Sequence, residues 1–260
     1  MLHAGRRARY SGPGVLIPLL FAAFGAIVGS FLATLVVRWP EGRSVIAGRS
    51  RCDGCGRTLA PRDLVPLLSA VAARGRCRAC GARIDPAHWW VELACLVVGG
   101  SAGLTAPPLA AMAGAVFGWL LVALAALDWR HFWLPDRLTA PLALLGLASA
   151  AVMPPVLADR LIGGAVGFGG LWLVAWGYRR FRGREGLGGG DPKLLGAIGL
   201  WLGWRLLPAV LVLAGMVGLG VVLVQHLRGR TVAADTALPF GTLLAVAAYP
   251  AWLVMVSTGP

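Results

Sequence analysis

Residues 108–130 read PLAAMAGAVFGWLLVALAALDWR, and the first 20 of them carry no charge before Asp128 closes the run. A helix of that length rises about 30 Å, which matches the hydrocarbon core of a bilayer. The stretch therefore reads as a membrane span, and its surroundings decide whether it stands alone. Working outward, similar apolar segments lie near 15–36, 89–106, 134–155, 158–178, 191–203, 206–226 and 239–257. The expectation is an all-α polytopic membrane protein with about eight transmembrane helices, or seven if the short segment at 191–203 is not a crossing.

Composition agrees. Of 260 residues, 58% are hydrophobic and 13% charged, and the mean hydropathy is +0.74. Soluble domains carry roughly 25% charged residues. The net charge of +13 could suggest nucleic acid, but in a polytopic chain basic residues gather in cytoplasmic loops. No nucleic-acid partner is expected. Placing residues 38–88 inside puts 19 of the 24 basic residues in cytoplasmic loops. Arg6, Arg7, Arg9, Arg160 and Arg205 fall outside. The first apolar segment lacks a small-residue cleavage pattern and reads as a retained helix rather than a removed signal peptide.

The chain divides into an N-terminal tail with the first helix (1–36), a polar loop (37–88) and a helical core (89–260). The loop holds C-D-G-C at 52–55 and C-R-A-C at 77–80, separated by 21 residues. Two such pairs present four thiolates, the donor set of a closed, tetrahedral structural zinc site. The predicted ligands are Cys52, Cys55, Cys77 and Cys80. Two disulfides are the competing reading, disfavoured by a cytoplasmic location; four unliganded thiols are the third. Rich in Arg, Gly and Pro, the loop has little core of its own, so metal binding would supply its folding energy. Cys95, alone in the second span, reads as a small buried hydrophobe.

A second carboxylate complements Asp128. Residues 186–203, GLGGGDPKLLGAIGLWLG, bring three glycines up to Asp191 at the cytoplasmic start of the sixth span. Asp128 ends the third span, so the topology puts both at one depth. Two carboxylates in a confined site do not both ionise cheaply. An ionised one can draw a proton from water while a protonated one polarises a peptide carbonyl. Gly188 and Gly190 would leave room beside Asp191 for an extended peptide. Each acid also has a plain structural reading: Asp136 as a helix cap after Pro135, and Asp191 as a favourable charge at a helix N-terminus. Lys193 reads either as an interfacial lysine or as a partner for a substrate carboxylate or lipid headgroup.

At these residues the sequence resembles the type IV prepilin peptidases. The family's G-x-G-D motif matches Gly188 to Asp191, and its other acidic motif matches Asp128 followed seven residues later by Pro135-Asp136. "GSFLATLVVRWP" resembles the family's G-S-F-L-N segment, the cysteine pairs and "WWVELA" resemble its bifunctional members, and "LPFG" at 238–241 resembles its late P-F-G motif. The resemblance implies an inner-membrane aspartic endopeptidase with Asp128 and Asp191 as its catalytic pair. Such an enzyme removes the leader of a prepilin or type II secretion pseudopilin after a glycine, at the cytoplasmic membrane face. In bifunctional members S-adenosylmethionine then methylates the new N-terminus. Glu92 is the polar candidate for that second activity, with a plain helix-start glutamate as the equal alternative. Ala33 stands where the family usually has Asn, which bears on methyl transfer and not on the acid pair. A peptidase without methyl transfer, a transporter with paired acids and a metal-sensing or assembly protein are the rival readings.

Overall fold

Each of the eight apolar segments is helical in the computed structural model, which describes residues 14–45, 48–184, 186–229 and 238–258. Arg6, Arg7, Arg9, Glu185 and Asp235 lie outside the described residues. The helices are α1 (Leu16–Arg38), a short α2 (Leu68–Ala72) inside the cysteine loop, α3 (Pro86–Thr105), α4 (Pro108–His131), α5 (Asp136–Ala148), α6 (Leu157–Arg182), α7 (Gly190–Leu202), α8 (Leu207–Leu227) and α9 (Phe240–Thr258). Among the described residues no strand forms; two isolated bridges sit in the cysteine loop.

The number of crossings is coarser than the sequence suggests. Among the described residues five helices, α1, α4, α6, α8 and α9, are long and apolar enough to cross a membrane. Helices α5 and α7 have 13 residues each, a rise of about 20 Å against roughly 30 Å of hydrocarbon. Helix α3 carries His88 and Glu92 in its first two turns. The segment predicted over 134–155 is helical only to Ala148. There the Ser149 hydroxyl donates to the Gly146 carbonyl, a 3-10 turn follows, and Pro154 and Pro155 cannot continue a helix.

Close backbone packing explains much of the glycine usage. A Cβ at Gly29 of α1 would fall 2.7 Å from the Glu92 Cα of α3, and one at Gly167 of α6 would fall 2.7 Å from the Leu195 carbonyl oxygen of α7. Small residues let helices in a membrane approach to this range, where van der Waals contact supplies the association energy. Helix α4 runs through the middle. Its Trp119 donates to the Cys95 carbonyl of α3 at 3.0 Å. On another face Phe117 stacks on Trp201 of α7 at 4.7 Å between ring centroids, and Trp201 donates to the Leu142 carbonyl of α5 at 2.7 Å. Tyr249 of α9 donates to the Val98 carbonyl of α3 at 2.7 Å.

Three contacts sort the helix ends. Trp39 after α1 meets Trp133 after α4 edge to face at 5.4 Å. Arg130 in the last turn of α4 pairs with Asp85 at the start of α3. Lys193 in α7 pairs with Asp136 at the start of α5. The cysteine loop, the end of α4 and the starts of α3, α5 and α7 therefore share one end of the bundle.

The opposite end holds Arg160, which charge counting leaves outside the cytoplasmic loops at the start of the 158–178 segment. It is fully buried. Its guanidinium donates to the carbonyls of Gly146, Met153, Pro154, Pro155 and Leu200 and to the Ser149 hydroxyl, at 2.6–3.0 Å. These acceptors are carbonyls at the ends of α5 and α7 and in the turn between α5 and α6, groups that helix geometry leaves unpaired. Replacing Arg160 with Met strands several buried carbonyls at once, at on the order of 1–3 kcal/mol each. The expected result is a clearly lower thermal unfolding midpoint in detergent, with zinc content unchanged.

Candidate active site

Asp128 lies in the last turn of α4, where Phe132 closes the helix in a left-handed conformation (φ 50°) and its amide bonds the Asp128 carbonyl at 2.9 Å. Asp191 is the second residue of α7, entered through Gly189. Both side chains are buried, at 4% and 5% exposure. The start of α9 joins them. Asp128 Oδ2 accepts from the Thr242 amide at 2.7 Å. The Thr242 hydroxyl lies 3.1 Å from the same oxygen and 3.0 Å from the Ala125 carbonyl. Asp191 Oδ2 accepts from the Gly188 amide at 3.0 Å and faces the Gly241 amide. Consecutive N–H groups of one helix N-terminus thus face two carboxylates from two other helices, which lie within electrostatic reach of each other. First-turn amides lack intrahelical partners and favour negative charge, so α9 is a natural anchor for both.

Glycine is required where the three helices converge. A Cβ at Gly190 would sit 2.7 Å from the Leu134 Cβ, and one at Gly241 would sit 2.7 Å from Leu134 Cδ1 and 3.1 Å from Asp128 Oδ2. Gly188 is exposed, and a Cβ there would lie 3.3 Å from Asp191 Oδ2. The motif glycines therefore have different roles: Gly190 permits close contact with Leu134 of the α4–α5 connection, while Gly188 leaves the carboxylate uncrowded.

The polar neighbours differ from their simplest readings. Pro135, not Asp136, occupies the cap of α5. Asp136 is the first helical residue, and its exposed carboxylate accepts from Lys193 Nζ at 2.7 and 2.9 Å. Lys193 is thus tied to the α5 start. Glu92 is buried, and its Oε2 accepts the Leu67 amide of the cysteine loop at 2.7 Å. Ala33 is fully buried, as is Cys95. Sequence reasoning stopped at Gly241 and passed over Thr242 and Leu134; one neighbours the P-F-G motif and the other lies inside the Leu-Pro-Asp run, but neither residue type advertises a role.

At the same end, the sulfurs of Cys52, Cys55, Cys77 and Cys80 lie within 4.8 Å of one another and are not disulfide-bonded. Cys52 Sγ and Cys80 Sγ are 3.8 Å apart, the edge of a tetrahedron with metal–sulfur bonds of about 2.3 Å. The two knuckles repeat one design. Cys52 and Cys77 amides donate to Arg57 and Ala82 carbonyls, and Gly56 and Gly81 amides return to the Cys52 and Cys77 carbonyls. Both glycines are left-handed, at φ 70° and 72°. Amides of Cys80 and Ala79 face the Cys77 thiol and pull its pKa down to about 6. The donor set and spacing fit zinc.

Similarity to known proteins follows this geometry. The type IV leader peptidase family matches residues 115–223, the stretch with both aspartates, and the bacterial peptidase A24 N-terminal domain matches residues 23–105, the stretch with all four cysteines. Over 272 residues the chain is 34% identical to the prepilin leader peptidase/N-methyltransferase of Aeromonas hydrophila, covering 93% of this chain and 91% of that protein.

The chain belongs to the type IV leader peptidase family.

It is also 39% identical to the prepilin leader peptidase/N-methyltransferase of Klebsiella pneumoniae, over 76% of this chain and 92% of that protein, and 35% identical to the one from Pseudomonas aeruginosa, over 88% and 87%. No solved structure matches the chain.

In this leader peptidase the cysteine loop is fastened to the bundle by charge. Arg38 at the end of α1 donates to the Arg51 carbonyl at 2.9 Å and contacts Asp53. Within the loop, Asp63 meets Arg57 of one knuckle and Arg78 of the other. Asp85 caps α3 through the Ala87 amide and accepts two bonds from Arg130 of α4 at 2.9 and 2.8 Å.

Replacing Cys52 and Cys77 together by Ser should remove bound zinc and expose residues 48–84 to protease while leaving the helices intact; elemental analysis and limited proteolysis measure both. The Arg130 guanidinium holds the Asp85 carboxyl below its ordinary value of 3.8. A lowered acid stabilises above the unfolded value and loses that contribution as pH falls through the folded one. Loop amide protection should therefore persist at pH 5 and fade only below about 4. Arg130→Gln should weaken protection at pH 7 and flatten its acid dependence in hydrogen exchange.

Proposed function

We propose that this leader peptidase is a multi-pass bacterial inner-membrane aspartic endopeptidase. It removes the basic leader of a type IV prepilin or type II secretion pseudopilin after a glycine, at the cytoplasmic membrane face, and then methylates the new N-terminal amine. The observation that carries this reading is the pair of buried carboxylates at one helix N-terminus, Asp128 held by the Thr242 amide and Asp191 facing the adjacent Gly241 amide. In a transporter such acids would be expected near the bilayer midplane. These stand in the last turn of α4 and the first turn of α7.

The chemistry needs one ionised and one protonated carboxyl, and close placement in a dry site favours that state. The ionised group takes a proton from water as the oxygen attacks the scissile carbonyl carbon, and the protonated group gives its proton to the carbonyl oxygen. The tetrahedral diol then collapses: the C–N bond breaks, the amine leaves with a proton from one carboxyl, and a diol proton returns to the other. The Thr242 amide holds Asp128 Oδ2 in place. The apolar N-terminal segment of the substrate would lie among the helices while its leader stays in the cytoplasm.

The same reading has eight crossings, with α3, α5 and α7 packed among the five long helices, and it keeps residues 38–88 inside with their arginines. The domains are then the N-terminal tail with the first helix (1–36), the zinc-binding loop (37–88) and the peptidase core (89–260). Zinc on the four cysteines stabilises the loop and takes no part in bond cleavage. A cavity of about 680 Å³ lies between this loop and the ends of α1 and α3, lined by Arg38, Asp53, His88 and Glu92 among others. Its size falls in the range of small-molecule sites, and eight arginines and five carboxylates line it, so arginines such as Arg38 would hold the carboxylate of the methyl donor S-adenosylmethionine there. When bound, that donor supplies the methyl group. Glu92 helps by holding Leu67, and through it the loop, against α3.

Asp128→Asn and Asp191→Asn should each lower prepilin cleavage in membranes by roughly 10²–10⁴-fold, with zinc content and thermal stability preserved. Full cleavage by either variant removes the peptidase assignment. Mass spectrometry of the mature substrate's N-terminus tests the second step: a mature product that never carries the added methyl leaves a peptidase alone.

A further inference from the structure

We propose that Leu134 sets the size of the subsite beside the scissile bond and is the source of selectivity for glycine there. This rests on the reading of Asp128 and Asp191 as the catalytic pair. The scissile carbonyl has to come within reach of both carboxylates, in the space where α4, α7 and α9 converge. Two of the walls there are glycines, Gly190 and Gly241, and Leu134 lies against both. A single Cβ on Gly190 would be 2.7 Å from the Leu134 Cβ and 3.1 Å from its Cδ1; one on Gly241 would be 2.7 Å from the same Cδ1. Those distances place Leu134 against both glycines that adjoin the carboxylates; a substrate residue bearing a side chain would meet the leucine there, whereas a bare backbone would not.

Leu134 is also held in place on both sides. Phe132 turns the chain off α4 in a left-handed conformation, and Trp133 packs edge to face on Trp39. On the other side Pro135 is buried and Asp136 is tied to Lys193. A side chain anchored before and after by separate helices acts as a fixed wall rather than a swinging cover. In a close-packed apolar subsite, one extra methyl group is discriminated by roughly 10–200-fold.

The test measures cleavage of two prepilins in parallel, one with its natural glycine before the cut and one with alanine in that place. The ratio of the two rates in one preparation does not depend on how much enzyme has folded. The unaltered enzyme should prefer glycine by at least about tenfold. Leu134→Ala should shrink that preference by about tenfold or more while still cutting the glycine substrate. Leu134→Val should fall between, and Leu134→Met, which keeps the volume, should retain the preference. An unchanged glycine-to-alanine ratio in Leu134→Ala overturns the proposal, as does parallel loss of both substrates in Leu134→Ala and Leu134→Val. Asp128→Asn, run on the same membranes, separates the two ideas. If that variant still cuts, the catalytic reading has failed; if it is inactive while the Leu134 ratios do not move, only the subsite proposal has.

Discussion

The first turn of α9 governs the arrangement of this end of the molecule. Its successive amides at Gly241 and Thr242 each meet a different carboxylate, one from α4 and one from α7. Three helix ends must therefore converge within a few ångströms, and the surrounding sequence serves that demand. Glycines stand where backbones close up, Leu134 fills the seam between them, and the charge pair of Lys193 with Asp136 ties the α7 start to the α5 start. Farther along the bundle, the stack of Phe117 on Trp201 keeps α4 and α7 in register. Arg160 gathers the carbonyls at the far ends of α5 and α7.

Those parts of the structure with a periodic or clustered signature could be read before the fold was seen. Apolar runs mark helices because lipid tolerates no unpaired backbone. Paired C-x-x-C sequences mark a four-sulfur cluster because each pair already makes one knuckle. That Asp128 and Asp191 stand at the same end of the bundle could be read from the order of the apolar segments. Long-range partners could not be read. Thr242 is 114 residues from Asp128, and an ordinary threonine at a helix start says nothing about what it bonds. The burial of Arg160 was not legible either, because an arginine at the edge of an apolar segment suggests a solvated charge, whereas here carbonyls from several elements converge on it. Crossing number was uncertain for a similar reason: α5 and α7 are short pieces whose burial comes from neighbours, so their own length understates how they are housed.

The cysteine loop shows how a polar segment with little core keeps a fixed place on a membrane bundle. Its internal order comes from four sulfurs and from Asp63, shared by the two knuckles. Its attachment comes from Arg38, Glu92 and Arg130, one residue from each of α1, α3 and α4. Because Arg130 stands two residues after Asp128, the loop and the buried carboxylates are fastened to the same helical turn. Displacement of one bears directly on the geometry of the other.

The hydroxyl of Thr242 has one hydrogen and two acceptors, the Ala125 carbonyl at 3.0 Å and Asp128 Oδ2 at 3.1 Å. When Asp128 carries negative charge the hydrogen turns toward it; when the acid gains a proton, the hydroxyl is at liberty to turn back to the carbonyl. Rotation about a single C–O bond thus follows each change of charge, and no helix has to shift. The acid thus has a partner that adjusts to its charge by turning in place.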